Sequence, residues 1–370
     1  MSESRLHELT AHGQSVWIDY LSRELILGGE LERMMREDAV TGVTSNPTIF
    51  QKAISHGDAY DEQLRELLDE HCDTAEAFFR LAERDVGDAC DLLRPVWGRT
   101  AGADGYVSIE VDPNLAYETQ ETFEQAHRLH EQIDRPNLLV KIPATEAGLP
   151  AIEDSIAAGR SINITLIFSL ARYRAVVEAY QRGIERLIAD GGDPSRVASV
   201  ASFFVSRVDT ETDKRLDAIG SEQALALRGE LAVANAKLAY EHFLQAFATE
   251  RWRALEAQGA TRQRCLWAST STKNPSYPDT LYVQELIGPE TVNTMPEETI
   301  RAFQDHGRVA ETLTEGTDGA RRVFAQVAEV GVDYDDVTAV LEREGVQKFA
   351  DSFSELLEGI KAKRGELVST

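Results

Sequence analysis

Asn137-Leu-Leu-Val-Lys-Ile-Pro-Ala-Thr145 is an apolar run with one ammonium at its centre. Leu138 to Pro143 has the length and composition of a buried strand, bounded by polar residues and closed by a proline. Side chains alternate between the two faces of a strand, so Val140 and Ile142 share one face and Lys141 points to the other. A lysine in such a strand needs an enclosed polar space to point into. That requirement suggests a sheet with an interior.

Outward from this run the chain repeats one pattern, short apolar stretches alternating with longer stretches of helical period, which marks βαβ units and a parallel sheet. Eight strands are expected, at Ser15 to Tyr20, Thr41 to Asn46, Gly105 to Val111, Leu138 to Pro143, Ser161 to Phe168, Val197 to Phe204, Arg264 to Thr270 and Glu290 to Met295. Between them Ala75 to Leu93, Thr119 to Ile133, Leu170 to Ala189, Gln223 to Ala248 and Asp279 to Ile287 read as amphipathic helices. No linker rich in Pro, Gly or Ser divides the chain, and no GxGxxG follows a candidate strand, which speaks against an open dinucleotide-binding sheet. The reading is an α/β chain, a single (β/α)8 TIM barrel over residues 1–370. Residues 296–370 form a helical C-terminal extension, whose stripe of Phe349, Phe353, Leu356, Leu357 and Ile360 is expected to pack on the outside of the barrel.

Composition narrows the function. The 370 residues are 42% hydrophobic and 27% charged, as in ordinary globular chains, and their formal net charge is −25. That charge repels nucleic acid and anionic membranes, while leaving a small phosphorylated ligand accessible to a few local cations. No run approaches the length of a membrane span and the start is polar, so a cytoplasmic location is expected. Cys72, Cys90 and Cys265 have neither disulfide-framework nor zinc-site spacing. His127 and His130, three apart on one helix among Gln125, Arg128 and Glu131, read as a solvated face, and no metal is expected. Only 8 lysines stand against 30 arginines, which makes Lys141 conspicuous.

Polar residues interleaved with apolar ones mark the barrel's inward face. Tyr106, Ser108, Glu110 and Asp112 alternate with Val107, Ile109 and Val111, and Asn163 and Thr165 with Ile162, Ile164 and Leu166. Asp19 and Asn46 close the first two strands, at the end where barrel active sites are built. Burial favours a neutral amine, the nucleophile that attacks carbonyls. A lysine with carboxylates from other strands and no metal-ligand set suggests Schiff-base chemistry on a ketone. A structural lysine–glutamate pair accounts for the same pattern equally well.

Three segments carry a resemblance: Thr41-Gly-Val-Thr-Ser-Asn-Pro-Thr-Ile-Phe50, Asn137 to Thr145, and Asn163-Ile-Thr-Leu-Ile-Phe-Ser169. With them, in this order and at barrel spacing, the sequence resembles the transaldolases, a family of Schiff-base enzymes, over nearly its whole length and within their long bacterial branch. The resemblance implies a cofactor-free transferase that moves a dihydroxyacetone unit from fructose 6-phosphate or sedoheptulose 7-phosphate to erythrose 4-phosphate or glyceraldehyde 3-phosphate, in the non-oxidative pentose phosphate pathway. It implies Lys141 as the imine-forming residue and Asp19 as the base at the C4 hydroxyl, with Glu110 and Thr165 sharing a water that shuttles protons. Asn46, Asn163 and Ser202 would hold the dihydroxyacetone hydroxyls. Arg207, Ser271 and Lys273 would bind phosphate; Ser271-Thr-Lys-Asn274 stands where many members have Ser-Phe-Arg-Asn, so bidentate geometry is lost there. A monomer or homodimer is implied.

Two rivals remain at this point. An aldolase-type relative would release free dihydroxyacetone, and such relatives tend to carry tyrosine where this chain has Phe204. A non-catalytic sugar-phosphate-binding barrel would be expected to lack the lysine or a carboxylate, and Lys141, Asp19 and Glu110 are all present.

Overall fold

The computed structural model describes residues 4–55, 58–69 and 72–368. Its strands are β1 (Gln14–Ile18), β2 (Val40–Val43), β3 (Val107–Glu110), β4 (Leu138–Pro143), β5 (Ile162–Ile167), β6 (Ser199–Phe204), β7 (Arg264–Ala268) and β8 (Thr291–Met295). They close in sequence order, each parallel to its neighbours, with β8 returning to β1. The (β/α)8 expectation therefore holds, and each expected strand contains or overlaps one observed.

The helices that position the site are α1 (Pro47–Ser55), α2 (Thr74–Arg99), α3 (Thr119–Ile133), α4 (Leu170–Ala189), α5 (Ser206–Ile219), α6 (Leu231–Ala246) and α7 (Tyr334–Val368). Helix α4 shows how the sequence sets such an element. Ser169 caps it by accepting the Arg172 N–H at 3.0 Å. Tyr173, Val176, Val177, Tyr180, Ile184 and Leu187 then recur at helical spacing on its buried face. The expected helix from Gln223 to Ala248 is two, Glu222–Leu225 and α6. Gly229 breaks it at φ +75°, a conformation that costs glycine little, while its N–H donates to Asp213 at 3.0 Å.

Inside the barrel the strands lie at matched heights. Glu110 pairs in register with Lys141, Lys141 with Asn163, and Pro143 with Thr165. On β5 the register shifts between Ile164 and Ile167, where Leu166 takes φ +58°. A bulge there, one residue past Thr165, re-aims the side chains at the strand's carboxyl end. Gly42 on β2 is needed for close packing, since a Cβ would come within 2.4 Å of the Trp17 indole. That indole donates to Asp104 at 2.7 Å.

Two further findings differ from the sequence reading. His130 is buried rather than solvated: it shares the inner face of α3 with Ala126, Leu129 and Ile133 and meets the Ser161 carbonyl at 2.9 Å, and burial depresses its pKa to about 4. His127 does keep to the rim, 3.2 Å from Glu131. The apolar stripe of α7 divides: Phe353 packs on Phe78 with ring centroids 5.4 Å apart, while Phe349 lies over the barrel mouth with its ring 5.9 Å from the Lys141 ammonium. Helical periodicity identifies such a stripe without saying what it covers. Cys72, Cys90 and Cys265 are buried and form no disulfide. Among the described residues no helix is long and apolar enough to cross a membrane.

Candidate active site

The carboxyl ends of the strands open into a cavity of about 400 Å³. Lys141 reaches its floor from β4. Its ammonium donates to the Ser45 carbonyl at 3.0 Å and forms an ion pair with Glu110 Oε2 at 3.1 Å. Both side chains are almost fully buried, at 6% and 3% exposure, so each charge depends on the other for compensation. Burial raises the Glu110 pKa, against the lowering pull of Lys141, and the nearby Asp19 carboxylate raises it further.

Asp19, directly after β1, faces the same space. Thr44 Oγ1 donates to Asp19 Oδ1 at 2.7 Å and stands 2.6 Å from Thr294 Oγ1. A hydroxyl has one proton to give, so Thr294 donates to Thr44 and Thr44 to Asp19. Burial raises the Asp19 pKa, while Lys141, the Thr44 hydroxyl, Arg207 and Lys273 each lower it.

The other residues singled out in the sequence fall at two depths. Thr165, Ser202 and Phe204 line the cavity wall, and Asn46 lines its side beneath α1. Asn163 lies a layer lower, fully buried, donating to Ser108 at 3.0 Å and accepting from Ser202 at 2.6 Å. It is absent from the cavity wall and supports Ser202, which is part of it. Glu110 Oε1 and Thr165 Oγ1 are buried without hydrogen-bond partners among the described residues. Buried polar atoms are almost always paired, so each has capacity for a further polar partner.

Arg207, in the first turn of α5, lies with its guanidinium carbon 5.0 Å from the centre of the Phe204 ring. No carboxylate lies within 4.0 Å of it among the described residues, and burial lowers its pKa. Lys273 donates to Ser271 at 2.6 Å, and its pKa too is lowered, first by burial. Lys52, Lys141, Arg207, Lys273 and Lys348 line the cavity against Asp19 and Glu298, with Glu110 paired to Lys141 beside it, in a chain of net charge −25. The local field is thus opposite in sign to the chain's net charge and suits an anion. Among the described residues no cluster of His, Cys, Asp and Glu is arranged to hold a metal ion.

Sequence reasoning missed Thr44, Thr294, Lys52, Lys348 and Phe349. Thr44 was within reach, because it lies inside the quoted Thr41 to Phe50 segment. Lys348 and Phe349 come from α7, far along the chain, and nothing local marked either as part of the site, although Phe349 stands in the apolar stripe.

Fold and cluster together define a (β/α)8-barrel enzyme with a lysine and two carboxylates at its carboxyl-terminal mouth. The family model described as Transaldolase/Fructose-6-phosphate aldolase matches residues 16–360. The chain is 55% identical over 361 residues to a transaldolase of Frankia alni, covering 97% of each chain. It is 53% identical over 362 residues to a transaldolase of Mycolicibacterium paratuberculosis, covering 97% of each. With transaldolase 2 of Streptomyces coelicolor it shares 50% identity over 359 residues, 97% of this chain and 96% of the other. The chain belongs to the transaldolase/fructose-6-phosphate aldolase family, on its transaldolase side.

Proposed function

We propose that the chain transfers a dihydroxyacetone unit from a ketose phosphate to an aldose phosphate through an imine on Lys141. The observation that carries this reading is the Lys141–Glu110 pair at 3.1 Å, within a cation-rich cavity that also holds Asp19. The Lys141 amine attacks the C2 carbonyl of fructose 6-phosphate or sedoheptulose 7-phosphate, and loss of water gives the iminium. Asp19 takes the C4 hydroxyl proton, the C3–C4 bond breaks, and its electrons pass to the iminium as an enamine while the aldose phosphate leaves. An acceptor aldehyde, erythrose 4-phosphate or glyceraldehyde 3-phosphate, is attacked by the enamine. Its oxygen takes the proton back from Asp19, and hydrolysis frees Lys141.

Glu110 and Thr165 relay protons for the gain and loss of water, a role favoured by the unpartnered Glu110 Oε1 and Thr165 Oγ1. Asn46 and Ser202 hold the hydroxyls of the three-carbon unit, with Asn163 fixing Ser202. Arg207, Lys273 and Ser271 bind the phosphate. The barrel with its C-terminal helices acts as one unit, since Phe349 of α7 lines the cavity. Sugar phosphates of the pentose phosphate pathway as substrates favour a cytoplasmic location.

The test is borohydride reduction in the presence of fructose 6-phosphate, followed by peptide mapping, with Lys141→Ala as control. The expected outcome is an adduct of dihydroxyacetone mass on Lys141 and product formation that depends on an acceptor aldehyde. No adduct with any ketose phosphate on folded protein would overturn the reading.

A further inference from the structure

Helix α7 crosses the barrel mouth instead of remaining on the outer wall. It packs along α1, where Thr48 donates to Ser352 at 2.8 Å, and it sets Phe349 above Lys141. The residue before Phe349 is Lys348, which lines the same cavity. We propose that Lys348 is a third phosphate-binding cation which, with Arg207 and Lys273, makes the C-terminal helix a determinant of preference for phosphorylated substrates. This rests on the transaldolase reading of the site.

The argument is electrostatic and geometric. Among the described residues no carboxylate lies within 4.0 Å of the Lys348 ammonium, whereas the other α7 lysines, Lys361 and Lys363, meet Glu358 at 3.7 Å and Asp61 at 2.8 Å. The charges that act on Lys348 are cations: Arg207 foremost, and, after burial, Lys52, so its pKa lies below the ordinary lysine range. Lys273 in turn is acted on by Glu298, which raises its pKa, and by Arg207 and Lys348, which lower it. Cations that line one cavity repel one another, and a phosphate dianion among them outweighs that repulsion by attracting all three. They come from three separated parts of the chain: α5, the segment after β7, and α7. Only the closed barrel with α7 over its mouth gathers them. A flexible ammonium at an exposed rim can follow the phosphate as the attached sugar changes length, which a fixed guanidinium does less readily.

The test compares full-length wild type, Lys348→Gln and Lys348→Arg. The expected result for the Gln variant is a rise of about 10-fold in KM for fructose 6-phosphate and in the inhibition constant of inorganic phosphate, the loss anticipated for one charge-assisted hydrogen bond. Arg restores most of it. The concentration of unphosphorylated dihydroxyacetone that half-saturates the borohydride-trapped adduct on Lys141 stays within 2-fold of wild type, an order-of-magnitude bound set by Lys348 bonding only the phosphate. Unchanged KM and phosphate inhibition in the Gln variant, with adduct still forming, would overturn the role of Lys348 and leave the Schiff-base reading intact. An equal loss for phosphorylated and unphosphorylated ligands would also overturn it, by showing that the residue only holds the helix in place. Failure of wild type itself to form the adduct would instead sink the underlying reading.

Discussion

The Lys141 ammonium and the Glu110 carboxylate stand 3.1 Å apart at paired register positions of β4 and β3. Each is buried, so removing one leaves the other uncompensated, at a cost of about 3–5 kcal/mol. Lys141→Met is expected to abolish the imine and to lower unfolding stability by that order at neutral pH. Lys141→Met with Glu110→Gln removes both charges and is expected to recover part of the loss. Urea unfolding midpoints decide it: a double variant no more stable than the single would mean that the pair is not the source of the penalty.

Activity should fall on both sides of neutrality for different reasons. Burial raises the pKa of Asp19 and of Glu110, so the acid limb of kcat/KM is expected above the ordinary carboxylate range. Burial foremost at Lys273, and the Arg207 charge foremost at Lys348, lower their pKa values, so phosphate affinity is expected to weaken as pH rises toward, and before reaching, the usual lysine value. Lys273→Arg keeps its charge throughout and should carry the alkaline limb to higher pH. An alkaline limb that does not move in this variant would assign the loss to another group.

Much of this site was legible before the fold was known, because a strand's period of two is a strong constraint. Lys141 and Thr165 were placed on inward faces by alternation with Val140 and Ile164, and both line the cavity, as do Ser202 and Phe204, which only the resemblance singled out. Asn163 shows the limit of that reasoning: alternation gives the face but not the height, and this residue lies a layer below the wall. Helical stripes are less informative still. Phe349 and Phe353 share one apolar stripe of α7, yet one lies over Lys141 and the other on α2, because their destinations depend on long-range contacts. Lys348 was unreadable for the same reason, and Gly229 broke a continuous helical period with a single left-handed residue.

Phe204 gives a test of transfer against release. Its ring is buried, packs on Phe168 with centroids 5.2 Å apart, and forms apolar cavity wall beneath Arg207. Phe204→Tyr adds a hydroxyl to this apolar part of the wall, where it can hold a water, and in the proposed mechanism water protonates the enamine and hydrolyses the imine. The expected outcome is a several-fold rise in free dihydroxyacetone released per transfer event. Product analysis with and without acceptor aldehyde measures this ratio, and a ratio equal to wild type would show that the wall at this position does not control water.

Asp209 provides a stability test away from the chemistry. Its carboxylate accepts the Ala232 N–H at 2.7 Å and the Tyr282 hydroxyl at 2.8 Å, tying α5 to α6 and to the helix Leu281–Gln284. Burial raises its pKa to about 7, with Asp213 and Glu230 adding to the rise. A carboxyl whose native pKa exceeds its unfolded value near 3.8 binds its proton more tightly in the folded chain. Its contribution to stability is therefore full below the unfolded value and is lost as pH rises toward 7, by an amount on the order of 4 kcal/mol. Asp209→Asn cannot titrate. Relative to wild type, the variant is expected to gain stability steadily between pH 4 and pH 7, whatever its offset at low pH, and to level off above. Guanidinium unfolding at a series of pH values measures the difference, and a constant offset across that window would show that Asp209 stays ionised in the folded protein.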